Sequence, residues 1–367
     1  NVVGGTVNND KNFWCSSSDG TSVKVATISN AGTFNNGSIS LSSSDAQLSM
    51  EGGSLTNTGR FVNNGNIDLS GVALSHGGTG ATFQTYNSSG LQLTGGSFDV
   101  SSAAANSFTN NGYMKIVDKY GDTNSICTIT LDSGKQAFSN NSNWLDYTAA
   151  VYSDAGLTAA EAAQSSKKTT LSTGESYYGT SVYNRLDFKA SFTISSSKTL
   201  SAFDMYWVEG DWSWNDNEEK DVLTPYTLTV ASGKTLTVGQ KCALHISDGA
   251  LVVNGTLIVA APTDEDGQDY VDGGRVEIWP DASFTNSGTV TNNGEFLIRY
   301  IEDDNIPGAF TRKADSVTLG TVSVNSVEYL AIVHTAAGLK AANVSTSPAF
   351  GRLEIKDNSN LTLPETM

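Results

Sequence analysis

The chain has 367 residues, with 21 Lys and Arg against 38 Asp and Glu, giving a formal charge of -17. Charged residues make up 16%, below the usual share, whereas roughly a third of the chain is Ser, Thr or Asn. So acidic a chain, without basic clusters, is repelled by phosphate backbones, which excludes nucleic acid as a partner. The longest apolar run, Leu251 to Ala261, is broken by Asn254 and Gly255 and falls short of the ~20 residues that span a bilayer.

The sequence starts Asn1-Val2-Val3-Gly4-Gly5, with no basic-then-apolar leader, and reads as a mature or trimmed fragment. The first regular feature is a phrase, Thr33-Phe34-Asn35-Asn36-Gly37-Ser38-Ile39-Ser40-Leu41. It recurs in longer form as Ser54-Leu55-Thr56-Asn57-Thr58-Gly59-Arg60-Phe61-Val62-Asn63-Asn64-Gly65-Asn66-Ile67-Asp68-Leu69. It returns from Ser107 to Ile116 and again from Ser283 to Ile298. The unit is a short alternating strand, an Asn-Gly corner and another short strand with one dry face. Asn and Gly tolerate the left-handed backbone that a sharp corner is expected to need.

Residues 1–140 therefore read as the first stretch of a repetitive β-structure. Residues 141–190 lose the beat and read as an insertion or long loop. Within it, Thr158-Ala159-Ala160-Glu161 has capping-box form and predicts a helix from Thr158 to Ser165. The repetitive pattern resumes over 191–367. In that stretch Leu228, Val230, Leu236, Val238, Leu244, Ile246, Leu251, Val253, Leu257 and Val259 share one inward phase. Phe61, Ile67, Leu69, Phe284, Val290 and Phe296 are expected inward for the same reason, with Gly65 and Gly294 at corners.

Three excursions interrupt the pattern and are where such proteins usually carry function. Residues 203–224 hold Trp207, Trp212 and Trp214, with Asp211, Asp216 and Asn217 between and after them. Three Trp within eight positions predict a platform for sugar rings, the polar residues taking hydroxyl hydrogen bonds. The competing reading is that these rings anchor a long loop. Next, Asp264, Asp266 and Asp269 cluster around Gly267 and are candidate oxygen ligands for calcium, against the reading of a solvated acidic loop. The third excursion, Glu302-Asp303-Asp304, contains the only adjacent Asp pair. The C-terminal Leu363-Pro364-Glu365-Thr366-Met367 resembles the Leu-Pro-x-Thr-Gly sorting signal, with Met in place of Gly.

Two architectures accommodate very short strands with no room for crossover helices. One is a right-handed parallel β-helix, a β-solenoid with loop excursions. The other is a tandem of antiparallel β-sandwiches. The single phrase governing both ends of the chain, the scarcity of Pro and the one register of Asn-Gly corners favour the solenoid. The phrasing Phe-Thr-Asn-x-Gly-x-Val-x-Asn-Asn-Gly resembles the right-handed parallel β-helix surface proteins of bacteria, the adhesin and autotransporter-passenger type with the pectin-lyase-like fold. That resemblance covers residues 25 to 120 and 225 to 300. It implies an extracellular adhesin or structural stalk, and it transfers no site residues.

The expected function is thus a non-catalytic, secreted or cell-surface β-solenoid that binds a host or environmental glycan or surface protein through its loops. No cofactor is required, calcium at the acidic loop aside. The alternative is a polysaccharide lyase or glycoside hydrolase, whose chemistry needs paired carboxylates, or carboxylates holding calcium beside a base. Arg312-Lys313 lacks the spacing for such a site, and His76, His245 and His334 read as structural or surface residues. The odd count of Cys15, Cys127 and Cys242 argues against a disulfide framework and for buried small hydrophobes.

Overall fold

The structure is a computed structural model. It describes residues 1, 4–9, 12–15, 27–37, 46–86, 89–121, 123–131, 138–140, 145–171, 182–215, 220–265, 269–311, 317–346 and 348–356. The chain is all-β apart from two helices, and it divides into two compact units. Unit 1 comprises Asn1–Ala150 with Ala162–Arg185, and unit 2 comprises Val151–Glu161 with Leu186–Met367.

In unit 1 the strands follow a cycle of three. Thr6–Asn9, Thr33–Asn36, Arg60–Asn63, Thr82–Thr85, Phe108–Asn110 and Phe138–Asn140 form one sheet. The next strand of each cycle enters a second sheet, through Asn12–Cys15, Gln47–Glu51, Asn66–Ser70, Gly90–Thr94 and Tyr113–Tyr120. The third sheet takes Thr27–Asn30, Ser54–Asn57, Ala73–His76, Ser97–Asp99 and Thr128–Thr130. Ladders within all three are parallel and in register, so that Phe34, Phe61, Phe83 and Phe108 occupy equivalent positions. Their rings stack at centroid separations of 4.8, 4.5 and 4.4 Å. Leu48, Ile67, Leu91 and Met114 form a second inward row.

Polar rows run beside the apolar ones. Asn9 Nδ2 donates to Asn36 Oδ1 at 2.7 Å, and Asn36 Nδ2 to Asn63 Oδ1 at 2.8 Å. A second row links Asn30 to Asn57 at 2.7 Å and ends on His76, which replaces Asn in the next cycle. Each amide spans two cycles and also donates to a backbone carbonyl, for example Asn36 to Asn66 O, so burial leaves no donor stranded.

Unit 2 repeats the cycle. Thr227–Val230, Thr235–Val238 and Ala243–Ile246 pair in parallel with Ala250–Val253, Thr256–Val259 and Arg275–Ile278. These pair in turn with Ser283–Asn286, Thr289–Asn292 and Glu295–Glu302. The residues expected inward, from Phe61 to Phe296, are all at most 1% exposed. Tandem antiparallel sandwiches do not fit, because the ladders joining these successive cycles are parallel. Antiparallel pairing occurs in local pairs such as Gly210–Asn215 with Lys220–Pro225 and Thr263–Glu265 with Asp269–Val271.

Gly37 has the left-handed backbone expected of a corner, at φ 84°, but other corner glycines have a different physical cause. Gly59, Gly65, Gly288 and Gly294 do not have positive φ. They are glycines because the neighbouring cycle lies too close for a side chain. A Cβ on Gly65 would come within 2.1 Å of Ala46 O, and one on Gly288 within 2.0 Å of Gly255 O.

Helix α1 spans Asp154–Leu171, longer at both ends than Thr158 to Ser165. Its unit 2 portion buries Leu157 and Ala160, and Glu161 accepts from Ser201 N, Ala202 N and the Tyr206 hydroxyl. Helix α2, Ala336–Val344, packs Leu339 and Ala342 on Ala331 and Val333 of the strand Glu328–Val333. Cys127 and Cys242 are buried and form no disulfide among the described residues. Residues 357–367, with the Leu-Pro-Glu-Thr sequence, lie outside the described residues, as do Arg312 and Lys313. Among the described residues no helix is long and apolar enough to cross a membrane.

Candidate functional site: an aromatic hairpin and a ring-and-charge face

The strand Met205–Val208 alternates. Tyr206 and Val208 are buried, and Trp207 points away from the core. Parallel register sets Trp207 beside His245, and His245 beside Glu277. Trp207 stacks on the His245 ring with centroids 4.3 Å apart and planes at 15°. Trp279, two positions on from Glu277, tilts against both rings, and the Arg299 guanidinium lies 4.5 Å from the Trp279 centroid. Arg299 Nε donates to Glu277 Oε2 at 2.8 Å, and its Nη1 to Glu354 at 2.8 Å. Burial pushes the Glu277 carboxyl up, but His245, Arg299 and Arg275 outweigh it and hold the group at about 2. His245 thus points out of the core, as the alternation of Leu244 and Ile246 requires, and is covered by its neighbours.

From the end of this strand the chain leaves the parallel sheets as a two-stranded ribbon, Gly210–Asn215 with Lys220–Pro225. Trp212 stands opposite Leu223, and position 214 opposite Asp221. Positions 212 and 214 therefore share one ribbon face, and Asp211 falls on the other. Trp212 is 61% exposed. Burial and the nearby Asp281 charge push the Asp248 carboxyl upward, and the neighbouring Trp212 indole pulls it down. On the opposite face Asp211 accepts from the Tyr226 hydroxyl, and Tyr152 stands close enough to feel its charge. Desolvation, then the bond to Asp211, raises the Tyr226 hydroxyl to about 12.

The structure thus distributes the residues that the sequence groups together. Trp207 belongs to the ring stack on the sheet, Trp212 to one face of the ribbon and Asp211 to the other. Asp216 and Asn217 lie outside the described residues, and of Trp214 only the backbone is described. Tyr152, Tyr226, Asp248, His245 and Trp279 were not foreseen as site residues. Only Tyr226, one residue beyond the ribbon, carried a local signal. The others arrive from strands or turns 20 or more residues distant from Trp212, through register alone.

The acidic excursion is also a ribbon, with Glu265 opposite Asp269 and Asp264 opposite Tyr270. Of Asp264 and Asp269 only the backbone is described, and Asp266 lies outside the described residues. Among the described residues no group of three or more His, Cys, Asp or Glu is arranged to hold a metal. The adjacent pair Asp303 and Asp304 serves the local turn: Asp303 accepts from Asn305 N and Ile306 N, and Asp304 meets Lys356 at 3.3 Å. No protein family, curated protein or solved structure matches the chain.

Proposed function

We propose that the chain is a right-handed parallel β-helix acting outside the cell as a non-catalytic binding scaffold, of the bacterial adhesin kind, with the 210–225 ribbon engaging a glycan or surface protein. Trp212 carries this reading. A Trp exposed over 61% of its surface, on a ribbon whose strands pair only with each other, leaves a large apolar ring face in water. Three buried carboxylates are engaged in holding the fold. Glu277 closes an arginine network, Glu302 holds the start of α2, and Asp118 accepts from Tyr147 and Cys127 N.

A glycan array run with and without calcium, beside an assay for reducing and unsaturated sugar ends, tests the reading. Wild type is expected to bind without releasing new ends. Trp212→Ala is expected to lose binding about tenfold or more, with unchanged circular dichroism. Equal binding by Trp212→Ala, or release of new sugar ends, overturns it. Calcium dependence would assign the Asp264, Asp266 and Asp269 ribbon a part in recognition; calcium independence leaves the binding to the aromatic ribbon.

A further inference from the structure

We propose that unit 2 holds a second binding site, a polar cleft that takes an uncharged, hydroxyl-rich oligosaccharide. The site shares no residue with the Trp212 ribbon and stands whether or not that ribbon binds.

The cleft, of about 540 Å³, opens at the corners through which successive cycles enter the sheet of Ala243–Ile246, Arg275–Ile278 and Glu295–Glu302. That volume lies within the range of small-ligand sites. Its charged lining is Lys241, Asp272, Arg275, Glu295, Glu328 and Arg352. Three cations and three carboxylates cancel, which makes the cleft locally neutral in a chain of net charge -17.

Most of these charges are already matched within the lining. Arg352 bridges Glu295 at 2.8 Å and Glu328 at 2.6 Å. Arg275 pairs through Nη2 with Glu277, outside the lining, while its Nε is buried, 3.7 Å from Glu295 and without a hydrogen-bond partner. Lys241 makes no ion pair with any described residue. It is held in the left-handed region at φ 59°, its N–H on Asp272 O at 3.0 Å. A non-glycine residue kept there is strained, and the corner geometry must hold it in place. Despite their pairing, Arg275, Glu295, Arg352 and Glu328 keep 37 to 43% of their side-chain surface exposed.

This lining selects its ligand by chemistry. A carboxylated, sulfated or phosphorylated ligand meets Glu295 and Glu328, and an ammonium ligand meets Arg275, Arg352 and Lys241. A hydroxyl both donates and accepts. It can therefore accept from the Lys241 ammonium and the exposed part of the Arg352 guanidinium, and donate to the free lone pairs of the carboxylates, without separating the existing ion pairs. No aromatic ring lines the cleft among the described residues, so a flat apolar ligand finds no stacking partner.

Saturation-transfer NMR on the full chain tests this with neutral hexasaccharides of glucose, mannose and galactose. Polygalacturonate and a chitosan hexamer serve as anionic and cationic controls. At least one neutral sugar is expected to receive saturation, with neither charged control doing so. Asn325→Trp, which fills the cleft from an exposed lining position, is expected to weaken the neutral ligand about tenfold or more. Glu328→Gln, which keeps the shape and unbalances the charge, should admit polygalacturonate. Trp212→Ala should leave cleft binding unchanged, which separates failure here from failure of the ribbon. Absence of saturation with all three neutral sugars, preference of the wild type for a charged control, or full binding by Asn325→Trp overturns the proposal.

Discussion

Gly288 and Gly233 show that two glycines in the same repeat are fixed by different forces. Gly233 has φ 70° and open space where a methyl group would project, so only the left-handed backbone resists a side chain. At Gly288 the backbone is ordinary, and a Cβ would sit 2.0 Å from Gly255 O, a contact that only movement of the neighbouring cycle can relieve. Gly233→Ala is accordingly expected to cost about 1 kcal/mol. Gly288→Ala should cost about 3 kcal/mol or more, because main chain cannot swing aside as a side-chain tip can. Urea midpoints followed by amide exchange in unit 2 decide between them; equal losses for the two variants would mean that conformation and not contact sets the corner. The Asn rows obey the same close spacing, since an amide reaches its counterpart one cycle away only if the backbones are in register, as Asn36 and Asn63 are.

Helix α2 is held at its start by one carboxylate from another element. Glu302 accepts from His334 N at 2.8 Å, Thr335 N at 3.0 Å, Gly308 N at 2.9 Å and the Thr335 hydroxyl, while Thr335 itself caps Gly338 N. Removing it leaves several half-buried donors without their acceptor at once. Glu302→Ala is expected to cost about 3 kcal/mol and to raise amide exchange across Ala336–Val344 before other segments. Unchanged protection of α2 would place its anchorage in Leu339 and Ala342 instead. This element was invisible in the sequence, because the anchor sits 33 residues before Thr335 and belongs to no local pattern. The short strands and their inward phase were legible, since alternation and Asn-Gly corners are local. The excursions were legible as interruptions only: that 210–225 and 263–271 are antiparallel ribbons follows from pairing between residues on the two sides of a turn. The ring-and-charge face of Trp207, His245, Glu277 and Arg299 was beyond reach for the same reason, since successive members come from different cycles and only the parallel register brings them together.

At the scale of the whole chain, acid is expected to loosen the molecule in two stages, which follow from where it hides its titratable groups. His76 lies 2% exposed at the end of an Asn row. Its Nδ1 accepts from Asn57 Nδ2, and its Nε2 meets Ser107 Oγ at 3.1 Å, so the row requires the neutral ring. Burial, against weaker opposition from Asn57 and Ser107, lowers its pKa below 6.5. Glu277 and Glu302 are held at about 2, against 4.5 in an unfolded chain. All three groups bind protons more readily when unfolded, so the stability they supply is complete above the unfolded value and is lost as pH falls toward the folded one. The His76 share should fade below about 6.5, and the Glu277 and Glu302 shares between about 4.5 and 2. Glu161 runs the other way: burial raises its pKa, so its contribution is present below 4.5 and declines as pH rises. Amide exchange corrected for intrinsic rate should therefore show Ala73–His76 losing protection between pH 7.5 and 5.5 while Arg275–Ile278 keeps its own until below about 4.5. His76→Asn supplies the control, because Asn is the residue the row uses in the preceding cycles and it does not titrate. It should remove the first stage and leave the second. If His76→Asn softens between pH 7.5 and 5.5 as the wild type does, the buried imidazole is not the group that senses the acid.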